Sequence, residues 1–186
     1  MAIANYTKTC GKNTPGNRKQ FFIAPSGAIT VLTEASELIT VLTAPSGTFK
    51  KVRADIDTVQ VTSDGTFTTS GGMQQNLIAK FSMPSTELNV WLDSVIAQIN
   101  CGIDIIHIDA NGKVWLSGIT SFAKEGKTRP WNSFQEQLDS GLLMTDEGMQ
   151  AVTCTFGRLS AYDFTELNPA LSDAVKAGTS TFIDWS

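Results

Sequence analysis

Few residues in this chain could carry chemistry. His107 is the only histidine, so one subunit cannot hold a site that needs two imidazoles. Asp104 lies within the apolar run 103–108 and Asp109 directly follows it, so a carboxylate lies on each side of His107 in the sequence. This arrangement would allow a carboxylate–histidine pair. A lone histidine within a strand is more often a structural residue unless geometry places a reacting partner beside it. We therefore predict no catalytic centre at His107 and no enzyme activity.

Acidic and glycine-containing stretches do not predict a ligand site either. Asp55, Asp57 and Asp64 offer hard oxygen ligands, but their spacing lacks the ordered ligands of a calcium-binding loop, and a solvated strand face explains them better. Gly71 and Gly72 have no following lysine and helix, so they indicate a turn and not a phosphate-binding loop. We expect no metal ion and no cofactor.

The cysteines and the hydropathy pattern bear on the compartment. Cys10, Cys101 and Cys154 are odd in number, widely spaced and without a Cys-x-x-Cys pair, which predicts free thiols in a reducing compartment. Residues 1–20 lack an apolar core of signal-peptide length, and no run of eighteen apolar residues occurs. We expect synthesis in the cytoplasm and no membrane partner.

The charge balance argues against tight binding of nucleic acid. The net charge is −4 and the sequence pI is about 4.9, with few clustered basic residues. Affinity for phosphate backbones rests largely on clustered Lys and Arg, which release counterions. The same balance suits a surface past which DNA slides without being held.

One amphipathic helix is predicted over residues 86–100, in a chain that otherwise has the patterns of β-strands. Ser85 can cap its start, Glu87 suits the helix dipole in the first turn, and Gly102 suits the position after its end. The apolar stripe needs a sheet to cover, and its members recur at helical spacing: Leu88, Trp91, Leu92, Val95, Ile96 and Ile99.

The remaining pattern predicts a mainly β fold, a β-sandwich or barrel, with arms at both ends. Residues 1–20 form a predicted flexible N-terminal arm, 21–160 the β-sandwich domain and 161–186 the C-terminal arm. Asn111-Gly112 lies between apolar runs and predicts a hairpin. The near-duplicated segments 29–33 and 39–43 predict two related strands around a turn.

Further elements follow the same reasoning. Residues 62–75 are polar and contain glycine, which predicts a mobile loop projecting from a long hairpin. Strands are predicted at 142–144 and 149–156 around Asp146-Glu147-Gly148, and a short helix at 169–177. The tail carries the apolar anchors Phe182, Ile183 and Trp185, which should dock on this domain or on a neighbouring subunit.

The order of these elements resembles that of bacteriophage tail tube proteins, also called major tail proteins. The segment 139–156, Asp-Ser-Gly-Leu-Leu-Met-Thr-Asp-Glu-Gly-Met-Gln-Ala-Val-Thr-Cys-Thr-Phe, is similar to the closing strands of such proteins. The segment 10–16, Cys-Gly-Lys-Asn-Thr-Pro-Gly, is similar to the start of tail structural proteins of phages of Bacteroidetes hosts.

This resemblance implies a virion structural protein, made in the host cytoplasm and located in the virion tail. Six copies would join their sheets into a ring, and stacked rings would form a conduit that DNA crosses without sequence-specific binding. The arms would contact other rings or other virion tail proteins, and strand faces rich in Thr, Ser and Asp would line the lumen. The implied inter-ring stacking loop contains Thr62, Ser63, Asp64, Gly65, Thr66, Gly71 and Gly72.

Other classes of function remain open at this stage. Another ring-forming virion protein, such as a tail terminator or a neck protein, fits the same element order. A β-sandwich ligand-binding or adhesion module would use an aromatic patch such as Trp131 and Phe134. An enzyme ranks last, because nothing in the sequence pairs Asp104 or Asp109 with a positioned partner.

Overall fold

A computed structural model describes residues 20–55, 58–67, 73–82, 86–109, 112–118, 130–139, 151–160 and 164–186. Within these ranges the chain forms twelve strands in two sheets and two helices, and one sheet curls into a half-barrel. The mainly β fold class is therefore confirmed. The helices are α1 (Thr86–Ile99) and α2 (Pro169–Ala177).

The larger sheet, sheet A, has eight strands in the spatial order β12-β4-β1-β7-β8-β11-β3-β2. Its neighbouring strands are antiparallel except for β11 with β3 and β12 with β4, which are parallel. The bounds of its strands are β1 (Gln20–Pro25), β2 (Val31–Ala35), β3 (Leu38–Thr43), β4 (Phe49–Arg53), β7 (Ile103–Ile108), β8 (Val114–Ser117), β11 (Thr165–Leu167) and β12 (Ile183–Asp184).

The smaller sheet, sheet B, has four antiparallel strands in the order β5-β6-β10-β9. These strands are β5 (Gln60–Phe67), β6 (Met73–Ser82), β9 (Ser133–Asp139) and β10 (Ala151–Ser160). The expected partner of β10, residues 142–144, lies outside the described residues, and β10 pairs instead with β6 and β9. The β6–β10 ladder is ten residues long on each strand, and its inner side carries Leu77, Ala79 and Phe81 opposite Phe156, Cys154 and Val152.

The first hydrophobic core fills the space between the two sheets and α1. Phe21 and Ile23 from β1 meet alternate residues of β6 and β10 there. Trp91 contributes most volume from α1, and its indole packs against the rings of Phe81 and Phe156 at centroid distances of 5.4 and 6.4 Å. The amphipathic helix therefore covers a sheet, as its stripe requires.

One member of the predicted helix stripe is not buried. Ile96 is 45 % exposed, whereas Leu88, Trp91, Leu92, Val95 and Ile99 are buried. Successive helical residues are about 100° apart, so Ser94 and Ile96 lie on opposite sides of Val95. The buried arc extends from Trp91 toward Ser94, which is only 8 % exposed, and it leaves Ile96 beyond the margin of the contact.

A second core lies on the other face of sheet A and is closed by α2 and the C-terminal residues. Asn168 caps α2 by accepting a hydrogen bond from the N–H of Leu171, and Gly178 ends it at a φ of 76°. The apolar residues of this core come from β1, β3, β4, β7, β8, β11, α2 and the tail. This helix has the bounds that the sequence predicted.

The C-terminal residues 164–186 do not form the extended arm that the sequence predicted. Strand β12 adds to β4, Lys50 pairs with Asp184 at 2.8 Å, and the Lys51 ammonium donates to the carbonyl oxygen of Trp185 at 2.6 Å. The indole of Trp185 also packs against the ring of Phe22. Of the two docking surfaces that the sequence left open, these anchors therefore use the chain's own sheet.

The turns agree with the local sequence signals. The repeated segments form the antiparallel pair β2–β3, joined at Ser36 and Glu37, which have φ values of 53° and 65°. Strands β7 and β8 pair across the Asn111-Gly112 signal, and Gly112 has a φ of 77°. The expected N-terminal arm lies outside the described residues, except for Gln20, which begins β1.

Candidate functional site

Sheet B turns one face toward the core and presents the other face away from it. Leu77, Ala79 and Phe81 of β6 belong to the first core, so the alternate residues of β6 point outward. We call the outward residues of the four strands the polar face. Three of its cross-strand rows are Gln60–Ile78–Thr155–Gln135, Thr62–Asn76–Gly157–Ser133 and Lys80–Thr153–Gln137.

These three rows of the polar face are almost without charge, and the next row, Ser82–Ala151–Asp139, contains one acidic residue. Lys80 is the one ionisable residue in those three rows, and the others are mainly Thr, Gln, Asn and Ser. Such a surface offers hydrogen bonds but little attraction to a phosphate backbone, whose binding depends on several Lys and Arg contacts. The described part of the face can therefore meet a polyanion without holding it.

Both edges of sheet B are open in the described part of the chain. Strands β5 and β9 each pair with one neighbour, so each has a second row of backbone N–H and C=O groups without a strand partner there. Edge strands are commonly protected by charged side chains, proline or bulges. Strand β9 has no lysine or proline and exposes 64 % of Leu138, but it carries Glu136 opposite Cys154. Its outward backbone groups remain able to pair with another strand.

A buried cationic cluster closes one end of the layer between the sheets. Arg158 of β10 is 4 % exposed, and its Nε donates to the side-chain oxygen of Gln75 at 2.5 Å. Its guanidinium lies 5.1 Å from the ring centre of Trp131 and 5.3 Å from that of Phe164. The Trp131 indole N–H donates to the Ser117 hydroxyl oxygen at 3.0 Å. The cluster joins sheet B to sheet A.

Two titratable residues of β7 lie within the field of Arg158 and are shifted in opposite directions. Burial raises the pKa of Asp104 to about 7, against the lowering effects of a hydrogen bond from Ser26, the charge of Arg158 and the Gly27 N–H. Burial lowers the pKa of His107 to about 4. The charge of Asp109 acts to raise this pKa, and the charge of Arg158 acts to lower it. His107 is therefore neutral at neutral pH.

The described residues of this cluster do not pair His107 with an acid or a nucleophile through its Nδ1 atom. The His107 ring makes an edge contact with the Phe164 ring at 5.1 Å, and its Nδ1 has no hydrogen-bond partner among the described residues. Burial raises the pKa of the Cys154 thiol to about 12, which suppresses the thiolate. Among the described residues, no three of His, Cys, Asp or Glu come together to hold a metal ion. The cluster fits a structural role.

The structure places five of the seven residues of the predicted stacking loop in a strand. Thr62, Ser63, Asp64, Gly65 and Thr66 lie in β5 and are not part of a loop. The expected loop is therefore part of a hairpin strand, in which Thr62 and Ser63 pair with β6 and the register shifts between Ser63 and Phe67. The role of these residues in stacking stays a prediction. Gly71 and Gly72 lie outside the described residues.

Other predicted sites also change in character. Phe182 and Ile183 are buried in the second core and Trp185 is half-buried, so these anchors dock on their own domain. Asp55 does not lie on a solvated strand, because its carboxylate accepts hydrogen bonds from the backbone N–H and the hydroxyl of Ser82. Asp57 lies outside the described residues.

The aromatic patch of the alternative binding module is not available. Trp131 is fully buried, and Phe134 is partly buried against the first core and contacts the ring of Phe156 at 4.9 Å. Sequence reasoning overlooked Arg158 and the strand β9. The alternation Cys154, Phe156, Arg158 would have placed the arginine on the inner face.

Comparison with known proteins gives no assignment. No protein-family model, no curated protein and no solved structure matches this chain. Neither α1 nor α2, the two helices of the described residues, has the length and apolar character needed to cross a membrane. Function is therefore argued from the polar face and its open edges.

Proposed function

We propose that this chain is a virion structural protein, the tail tube subunit of a bacteriophage, which forms stacked hexameric rings that conduct DNA. The observation that carries the proposal is the four-stranded sheet B, which in the described residues combines two open edges with a polar face whose three middle rows are nearly uncharged. The resemblance in element order supports the same assignment.

Ring closure follows from the two edges. If β5 of one copy pairs with β9 of the next, each exposed row of backbone groups gains a partner and no edge remains within the ring. Such head-to-tail contacts close when the rotation between copies divides a full turn, and the six copies that the resemblance implies require a rotation of 60°. The four-stranded sheets would then form one continuous wall.

The polar face would line the lumen of that ring. Thr, Gln and Asn side chains remain hydrated, and Lys80 alone offers a cation in the three rows, so passing DNA would meet few phosphate-binding groups. The folded C-terminal residues would stay with their own subunit. Contacts between rings would fall to the N-terminal residues 1–19 and to residues at the β5–β6 turn.

The first test is the state of the purified protein, measured by negative-stain electron microscopy and sedimentation over a concentration series. Stacked rings or tubes support the proposal. Rings that never stack favour a terminator or neck protein, and a compact monomer at all concentrations contradicts ring formation by this chain alone.

A matched pair of proline variants then tests the role of β9. Along an edge strand, consecutive N–H groups point alternately to the neighbouring strand and to the open side. One of Gln135→Pro and Glu136→Pro therefore removes a bond to β10 and lowers the melting temperature. The other removes an outward N–H, and we expect it to melt nearly normally but to form no rings. Rings from both variants would contradict edge pairing through β9.

A further inference from the structure

Leu138 of β9 is the most exposed of the large apolar side chains that the structure describes, with 64 % of its surface accessible. It lies opposite Val152 of β10, a residue of the first core that is 5 % exposed, so Leu138 is on the core side of sheet B. Gln137, the residue before it, is on the polar face. The first core therefore ends at Val152 and leaves Leu138 uncovered at an open edge.

The opposite edge of sheet B also has apolar residues on its core side. Val61 of β5 lies opposite Leu77 of β6, which belongs to the first core, and Val59, just before β5, packs against the same core. Both valines are only partly buried. Because β5 is an edge strand, no described strand of the sheet covers their far side. Each edge of sheet B thus carries apolar surface on the core side that the described chain leaves partly exposed.

The strand directions make the two edges complementary. Each neighbouring pair in the order β5-β6-β10-β9 is antiparallel, so β5 and β9 run in opposite directions. Copies related by rotation about a ring axis keep the same strand directions relative to that axis. Strand β9 of one copy therefore meets β5 of the next as an antiparallel pair, with both core sides on the same side of the joined sheet.

We propose that Leu138 packs against Val61 of the neighbouring copy when rings form, on the side of the joined sheet that faces away from the lumen. The inference deepens the proposed function and rests on it, because it requires copies joined through sheet B. Leu138 is then a specificity-determining residue of the ring contact. Backbone pairing alone accepts many strands, whereas a leucine that gains cover favours an edge with an apolar residue at the matching position.

The register of this pair also suits the neighbouring positions. In an antiparallel pair, opposite positions advance in contrary directions along the two strands. Glu136, on the core side of β9, then lies opposite Ser63 and not opposite a valine, and Gln137 lies opposite Thr62 on the lumen side. A shift by two residues would place Glu136 opposite Val61, where an apolar neighbour would disfavour its carboxylate.

A truncation series measures what the contact contributes. Leu138 is largely exposed in the single chain, so Leu138→Ala should leave the melting temperature of the unassembled protein nearly unchanged. The concentration at which rings form should rise about tenfold, because alanine buries less apolar surface in the contact. Leu138→Met keeps the apolar volume and should assemble as the wild type does. The control Val41→Ala, at an exposed position of sheet A, should change neither quantity.

Cysteine pairs test which residues meet. In a full-length chain with Cys10→Ser and Cys101→Ser, Leu138→Cys is combined with Val61→Cys. These positions lie on the outer strands of a four-stranded sheet, about 14 Å apart within one copy, so a disulfide inside the copy is excluded. Oxidation of the rings should give covalent ladders of up to six subunits on a non-reducing gel. The matched pair Gln137→Cys with Val61→Cys lies on opposite faces and should give no ladder.

The outcomes separate this contact from ring formation itself. Ladders from the Leu138 pair alone, with the shifted assembly of Leu138→Ala, support the inference. Rings without ladders from the Leu138 pair, or ladders from the Gln137 pair, would overturn it and leave the proposed function intact. Assembly of Leu138→Ala at the wild-type concentration would also overturn it. If the wild-type chain never forms rings, the proposed function fails, and the inference fails with it.

Discussion

The buried side chains of Asp104 and His107 allow a specific prediction of how stability depends on pH. Folding raises the pKa of the Asp104 carboxyl group from 3.8 to about 7. Between pH 3.8 and 7 only the folded state carries the carboxyl proton, so the free energy of unfolding falls as the pH rises. Folding lowers the pKa of the His107 imidazole from 6.5 to about 4. Between pH 4 and 6.5 only the unfolded state carries the second imidazole proton, so the free energy of unfolding rises with pH.

The two contributions nearly cancel over a shared pH window. Each pH unit in which one state alone holds a proton changes the free energy of unfolding by about 1.4 kcal/mol. Asp104 therefore contributes a loss of about 4 kcal/mol from pH 3.8 to 7, and His107 a gain of about 3 kcal/mol from pH 4 to 6.5. The sum of the two contributions to the free energy of unfolding therefore changes little between pH 4 and 6.5.

Chemical denaturation of the wild type, Asp104→Asn and His107→Gln from pH 4 to 8 tests this prediction. The difference between a variant and the wild type removes the contributions of all shared groups. For Asp104→Asn this difference should rise with pH by about 4 kcal/mol, and for His107→Gln it should fall by about 3 kcal/mol. Differences that do not depend on pH would refute the assignment of opposite shifts to these residues.

Two further predictions concern the helix and the lumen. Trp91→Ala should lower the free energy of unfolding by about 3–5 kcal/mol, because it leaves a cavity in the core. The control Val90→Ala, at an exposed position, should lower it by less than about 0.5 kcal/mol. Equal melting temperatures of the two variants would contradict the burial of Trp91. We expect tubes assembled from the double variant Thr155→Lys and Gln135→Lys to retain DNA fragments in a salt-dependent manner, unlike tubes of the wild type. Retention equal to that of an Ala170→Lys control would exclude Thr155 and Gln135 from the lumen.

The sequence predicted the elements whose signals are local. The prediction of α1 rests on spacing and end signals, and that of the β7–β8 hairpin on Asn111-Gly112, so each could be recognised without its partners. The short helix at 169–177 was predicted without its caps, which the structure places at Asn168 and Gly178. The β2–β3 pair followed from an internal repeat. None of these elements depends on contacts between distant parts of the chain.

What the sequence missed depends on such distant contacts. The pairing of β9 with β10, the docking of Trp185 on Phe22 and the exposure of Ile96 are all decided by which surfaces meet in space. The polar face and its open edges could not be recognised for the same reason. They appear only when β5, β6, β10 and β9 lie side by side in register.

The central claim is that copies of this chain close into rings through the edges of sheet B. Negative-stain electron microscopy with sedimentation of the purified wild-type chain tests it most directly. We predict hollow rings or tubes and a mass that grows in steps of six subunits. A mass of one subunit across the concentration series, with no rings on the grid, would contradict the claim.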